Sequence, residues 1–152
     1  MRFVIDGDGS PVKNEVIKLS DIYQIPVLIV TSVDHYTTKE YSDLVRFIYV
    51  DKGADGADYR IVKEINNDDI VITQDYGLAA LLLGKQTRIF HHSGTEYRLE
   101  NIDMLLNQRF MGAKMRQAGK RTKGPKPFTA ADRERFYKMM EQVLLQSKEL
   151  ET

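Results

Sequence analysis

Residues 4–11, VIDGDGSP, decide the fold. Phe3 to Ile5 is a short apolar run that ends on Asp6, and Gly7 and Gly9 then turn the chain around Asp8. An apolar, β-branched run that stops at an acid and a glycine turn reads as a strand buried on both faces. Pro11 follows, and its missing N–H suits a first helical turn, so a helix is expected over Pro11 to Tyr23.

The same signature recurs outward from this segment. VLIVTS (27–32), RFIYV (46–50), IVIT (70–73) and TRIF (87–90) are short and apolar, and helical patterns lie between or after them at Ala57 to Ile65, Gly77 to Leu83 and Asn101 to Arg116. Strands alternating with helices predict right-handed crossovers and a parallel α/β sheet, whose ligands bind at the carboxyl ends of the strands. The α/β domain is expected over 1–113. From 114 to 128 the chain turns basic and rich in Gly and Pro, which reads as an extended connection. A last helix is expected over 129–152, with Thr129 as N-cap, Asp132 three residues on, and Phe136, Met139, Met140, Val143 and Leu144 on the face that packs back on the domain.

A chain of 152 residues with 42% hydrophobic and 29% charged residues suits one globular core and excludes a disordered class. It holds no cysteine, so disulfides and thiolate metal sites are excluded, and any metal is held by oxygen or imidazole. The longest apolar block, near Leu78 to Leu83, falls far short of the ~20 residues of a membrane helix. No membrane association is expected. With no basic-then-apolar leader after Met1, a cytoplasmic location is the expectation. The 22 basic and 22 acidic residues cancel in sum but not in place. Arg109, Lys114, Arg116, Lys120, Arg121, Lys123 and Lys126 stand together without an acid among them, which suggests contact with a polyanion, a nucleic acid in particular; a solvated loop is the alternative.

The acids point the other way. Asp6 ends the first strand, Asp8 follows in the turn, and Asp75 ends the fourth strand in IVITQDYGLA (70–79), so it comes close to Asp6 if those strands are neighbours. In KGADGADYRIV (52–62), Asp55 and Asp58 stand at a helix start; Asp55 is read as offsetting the helix dipole and Asp58 as facing the crevice. Carboxylates gathered at one edge repel one another unless a cation sits among them, and Mg²⁺ or Mn²⁺ prefers such oxygen ligands. A metal so held can orient a water, lower its pKa and stabilise charge on a phosphodiester. Lys13, Ser10 and Thr73 stand where they could meet a substrate phosphate, though Ser10 and Thr73 could equally cap backbone groups. His91 and His92 are adjacent after the fifth strand and are expected to point to opposite faces. Tyr41, Phe47 and Tyr49 are read as core rather than as base-stacking platforms, and no function is drawn from them.

VIDGDGSPVK, GADGADYRIV, DIVITQDYGLAALLLGK, YRLENIDMLL and GKRTKGPKPFTAADRERF together resemble the bacterial YaiI/YqxD family nearly end to end. That family is similar in turn to PIN-like and NYN nuclease domains, and Asp6, Asp58 and Asp75 fall on their acidic positions. The resemblance implies a three-layer α/β/α PIN-like domain with a central parallel sheet of order 3-2-1-4-5, a C-terminal helical extension, and a Mg²⁺- or Mn²⁺-dependent ribonuclease site. Catalysis would rest on Asp6, Asp58 and Asp75, the metal on these with Asp8, and substrate binding on Ser10, Lys13, Thr73, Lys120, Arg121 and Lys123. Where relatives commonly read DADACPVK, this chain has Gly7, Gly9 and Ser10, so a cysteine-based role is excluded while the acids are kept. Two other functions stay open. FVIDGDGS also resembles the first motif of haloacid dehalogenase-type phosphohydrolases, with Asp6 as nucleophile and Thr31 or Ser32 in the second motif. The third possibility is a non-catalytic RNA-binding module that uses the basic tract.

Overall fold

In the computed structural model, which describes residues 1–51, 56–119 and 127–151, the apolar runs pair as strands of one sheet. The elements follow as β1 (Phe3–Asp6), α1 (Lys13–Tyr23), β2 (Val27–Ser32), a 3-10 turn at Val33–His35, β3 (Val45–Val50), α2 (Gly56–Glu64), β4 (Ile70–Ile72), α3 (Tyr76–Leu83), β5 (Arg88–Phe90), β6 (Glu96–Tyr97), α4 (Leu99–Gln117) and α5 (Ala130–Glu151). Among the described residues the sheet order is β3-β2-β1-β4-β5-β6. The first five strands are parallel, as the sequence predicts, and β6 adds an antiparallel edge through the pairs Ile89 with Tyr97 and Phe90 with Glu96. This sixth strand, only two residues long, is not foreseen from sequence.

The period of two along β1 and β2 sorts their side chains into two cores. Phe3, Ile5, Val27 and Ile29 face α1 and α5, meeting Val16, Leu19, Phe136, Met140, Val143 and Leu144. Val4, Leu28, Val30 and Val71 face the other way, against Ile61 of α2, Leu78, Ala79 and Leu82 of α3, and Ile102 of α4. The result is a three-layer α/β/α arrangement with a C-terminal helix, the architecture expected of a PIN-like domain.

Helix α5 packs back on the first layer as the sequence predicts. Thr129 and Asp132 form a reciprocal cap: the Asp132 N–H donates to Thr129 Oγ1 at 3.1 Å and the Thr129 N–H to Asp132 Oδ2 at 2.9 Å. Arg133 ties the helix to the turn after β1, donating to the Pro11 carbonyl and lying 3.3 Å from Glu15. Met139 differs from expectation, being 41% exposed while Phe136 is 0% exposed.

Three further expectations are revised. Helix α1 starts at Lys13, with Pro11 in the preceding turn. His91 and His92 do not point to opposite faces; their ring centroids lie 4.0 Å apart. The reason is that β5 stops at Phe90, so both residues stand in the turn to β6, where strand alternation no longer applies. Tyr41, Phe47 and Tyr49 are half-buried rather than core, with Phe47 packed at the margin of the α1 layer.

Because Phe136 is wholly enclosed, Phe136→Ala is expected to cost about 3–5 kcal/mol of stability, and Met139→Ala about 0.5 kcal/mol or less. Urea unfolding of both variants measures the contrast.

Candidate functional site

The acidic edge is built by the pairing of β1 with β4. Ile5 lies in register with Ile72, so the next residues, Asp6 and Thr73, meet where both strands run out. The Thr73 hydroxyl donates to Asp6 Oδ2 at 2.8 Å and accepts the Asp75 N–H at 3.0 Å. One hydroxyl thus couples the two strand-end acids. Thr73 is itself pinned by its backbone, its N–H donating to the Phe90 carbonyl at 3.0 Å and its carbonyl accepting the Tyr97 hydroxyl at 3.0 Å.

Asp6 is only 7% exposed. Burial pushes its carboxyl up to about 6; the Thr73 hydrogen bond opposes this, and the neighbouring charges of Asp75 and Asp8 add to it. Asp75 has a second task as N-cap of α3, its Oδ1 accepting the Gly77 and Leu78 N–H groups at 2.9 and 3.1 Å. Asp8 turns toward β2: its Oδ1 accepts the Thr31 hydroxyl at 2.6 Å and the Ser32 N–H at 3.0 Å, and His35 Nε2 stands 3.6 Å away. Burial would raise the Asp8 carboxyl, but the Ser32 and Thr31 hydrogen bonds, with His35 and Lys13 nearby, hold it below the usual carboxylate range.

The glycines make this turn possible. A Cβ on Gly7 would lie 2.9 Å from the Thr31 Cβ and 3.1 Å from the Val30 carbonyl, and Gly9 has a φ of +74°. Gln74 closes the turn from the β4 side, its Nε2 donating to the Asp8 carbonyl at 2.6 Å.

The remaining sequence-expected residues divide as follows. Lys13 opens α1 within electrostatic reach of Asp8. The Ser10 hydroxyl is buried without a hydrogen-bond partner in the turn. Thr73 is buried, with its hydroxyl committed to Asp6 and the Asp75 N–H. Asp58 lies in the first turn of α2. That helix starts close after the end of β3, a Cβ on Gly56 falling 3.0 Å from the Asp51 carbonyl, whereas the charges acting on Asp6 are those of Asp75 and Asp8. Among the described residues, no three His, Asp or Glu side chains are close enough to one another to hold a metal ion by themselves. Lys120, Arg121, Lys123 and Asp55 lie outside the described residues.

Sequence reasoning missed the groups that position these acids. Thr31, Ser32, Gln74 and Tyr97 all act across strands, and only the acid preceding a helix, Asp75, carried a local signal of its cap.

The chain belongs to the family described as Uncharacterized BCR, YaiI/YqxD family, whose model matches residues 4–146. It is 54% identical over 136 residues to a UPF0178 protein of Enterococcus faecalis (strain ATCC 700802 / V583), covering 90% of this chain and 92% of that protein. It is 47% identical over 144 residues to a UPF0178 protein of Bacillus cereus, covering 95% of this chain and 99% of that one. No solved structure matches the chain. Among the described residues no helix is long and apolar enough to cross a membrane.

A carboxyl raised in the folded state binds its proton more tightly there than in the unfolded chain. Its contribution is therefore greatest at acid pH and is lost as pH rises from about 4 through about 6. The loss is on the order of 2–3 kcal/mol. Asp6→Asn keeps the Thr73 contact and removes the charge, so in EDTA the variant is expected to be the more stable protein at pH 7.5, with the gap closing toward pH 4. Chemical denaturation of both proteins across this range tests the sign.

Proposed function

We propose that the protein is a divalent-metal-dependent nuclease that hydrolyses phosphodiester bonds of RNA at the carboxyl edge of the sheet. The observation that carries this reading is Asp6, a buried carboxylate pushed up to about 6 at an edge shared with Asp75 and Asp8. Burial first, and the charges of Asp75 and Asp8 with it, disfavour a bare anion there, and a proton or a cation offsets both. The donors are hard oxygens, and Mg²⁺ characteristically takes only one or two carboxylates while keeping waters. Asp6 and Asp75 fit that demand without a cage of protein ligands.

In this reading Asp6 and Asp75 hold Mg²⁺ or Mn²⁺, with Asp58 as the third acidic position. Bound there, the ion supplies the positive charge that acidifies a water and neutralises the phosphodiester. The protein's own groups do the rest. Thr73 fixes the direction of the Asp6 carboxylate, and the α3 N-terminus fixes Asp75. Lys13, within electrostatic reach of Asp8, offers charge to a phosphate oxygen, and the basic tract at Lys120, Arg121 and Lys123 draws in the polyanion. No Ser or Cys nucleophile is required.

Asp6→Asn and Asp75→Asn test the reading, because Asn is a good N-cap and leaves α3 closed. With Mn²⁺, the wild-type protein is expected to cleave labelled RNA, and EDTA or either substitution to reduce cleavage by ~100-fold or more. Mn²⁺ should also raise the melting temperature of the wild type and not that of Asp6→Asn. Cleavage that persists in EDTA or in both variants would overturn the proposal. Beryllium fluoride, which traps a phosphoaspartate-type site, should give no adduct on Asp6; an adduct would favour the phosphohydrolase alternative.

Reversing the charge of Lys120, Arg121 and Lys123 is expected to weaken RNA binding regardless of sequence and to lower the slope of log affinity against log salt by about two. An unchanged slope in anisotropy titrations would return the tract to a solvated loop.

A further inference from the structure

A row of aromatic rings starts beside Asp8 and runs along the outer strand of the sheet. Thr31, whose hydroxyl donates to Asp8, lies in register with Tyr49 of β3. His35, 3.6 Å from Asp8, is followed by Tyr36, whose ring centroid is 5.1 Å from that of Tyr49. Tyr49 stacks on Phe47 at 5.7 Å with the planes 6° apart, and Tyr41 stands 5.2 Å from Phe47. Four rings are therefore in sequence from the carboxylate edge outward along β3. The two ends come from the loop between β2 and β3, and the middle pair from alternate positions of the strand.

Two features separate this row from a core cluster. Tyr36 is 68% exposed, and Tyr41, Phe47 and Tyr49 are all partly open to solvent. The rings also lie over an edge strand, with β2 on one side only. The backbone holds the row in place, the Thr37 N–H donating to the Tyr49 hydroxyl at 3.4 Å. Lys39 Nζ lies 5.3 Å from the Tyr41 ring centroid. The flanking loop carries Asp34, Glu40 and Asp43 as well as His35 and Lys39, so it is no phosphate-attracting surface. What it presents is the exposed ring of Tyr36 beside the partly open rings of Tyr49, Phe47 and Tyr41.

We infer that Tyr36, Tyr49, Phe47 and Tyr41 form a stacking track for the bases of a single nucleic acid strand whose neighbouring phosphate reaches the Asp6–Asp75 edge. The inference rests on the nucleic acid reading proposed above and adds to it the surface that selects unpaired bases. Bases of any sequence stack on such rings, because every base has a π-face, whereas paired bases in a duplex have none to offer. The track's contribution is thus tied to strandedness and independent of salt, unlike that of the basic tract.

The test is anisotropy of a short fluorescein-labelled single-stranded RNA, and of the same RNA annealed to its complement, with the full chain in EDTA at two salt concentrations. Tyr36→Ala and Tyr41→Ala are each expected to weaken single-strand binding about five-fold or more. Duplex binding and the salt slope should stay unchanged, and Tyr36→Trp should restore affinity. Thermal melts of the same proteins check that the substitutions at exposed Tyr36 and half-buried Tyr41 leave the fold intact. Unchanged single-strand affinity in both alanine variants, equal losses for single strand and duplex, or no single-strand binding by the wild type would overturn the inference. Cleavage that depends on Asp6 together with unaffected binding in the alanine variants would reject the track and keep the nuclease. The expected binding pattern without any cleavage would do the reverse.

Discussion

The parallel pairing of β1 with β4 is the constraint on which the candidate site depends. It brings Asp6 against the Thr73 hydroxyl, and Thr73 in turn holds the Asp75 backbone. Shifting that pairing by one residue would send Asp6 to the other face of the sheet and leave the Thr73 hydroxyl without its acceptor. Apolar burial fixes the register. Phe3, Val4 and Ile5, with Ile70, Val71 and Ile72, are almost fully enclosed between the two helical layers, and their alternation fits both cores in only one phase.

Charge at the edge is managed unequally. Asp8 is stabilised by the Ser32 N–H and the Thr31 hydroxyl, with Lys13 and His35 nearby, and Asp75 uses its Oδ1 to close a helix. Asp6 receives one hydroxyl and sits deepest, so the cost of the cluster falls on it. A fold that needed these acids only as caps and anchors would gain from an uncharged residue at position 6. The charge at that position is what the proposed cation would answer.

Much of this was legible in the sequence because the deciding signals are local. Strands buried on both faces are continuous apolar runs; Asp6 closes one of them, and Asp75 stands shortly after another, beyond Thr73 and Gln74. The chain order of those runs, with helices between them, points to a parallel α/β sheet, and the order 3-2-1-4-5 is what the family resemblance implies. What was not legible depends on distant contacts or on short elements. Strand β6 is only Glu96–Tyr97 and has no run to detect, yet its Tyr97 pins Thr73. Thr31 and Ser32 read as the end of a strand, and their hold on Asp8 spans more than twenty residues of sequence. Strand alternation does not reach His91 and His92, because β5 ends at Phe90 and both stand in the turn to β6. The aromatic row was hidden because Tyr36 and Tyr41 come from irregular chain, where periodicity says nothing.

The central claim is that burial, with the charges of Asp75 and Asp8, raises the Asp6 carboxyl, and that a divalent ion bound at this edge relieves it. Its direct measure is the titration of the Asp6 side-chain carboxyl by ¹³C NMR, with and without saturating Mg²⁺. The account predicts a midpoint near 6 in EDTA and a fall below the ordinary value of about 4 with the ion. A midpoint already near 4 in EDTA, or one near 6 that Mg²⁺ does not move, would contradict it.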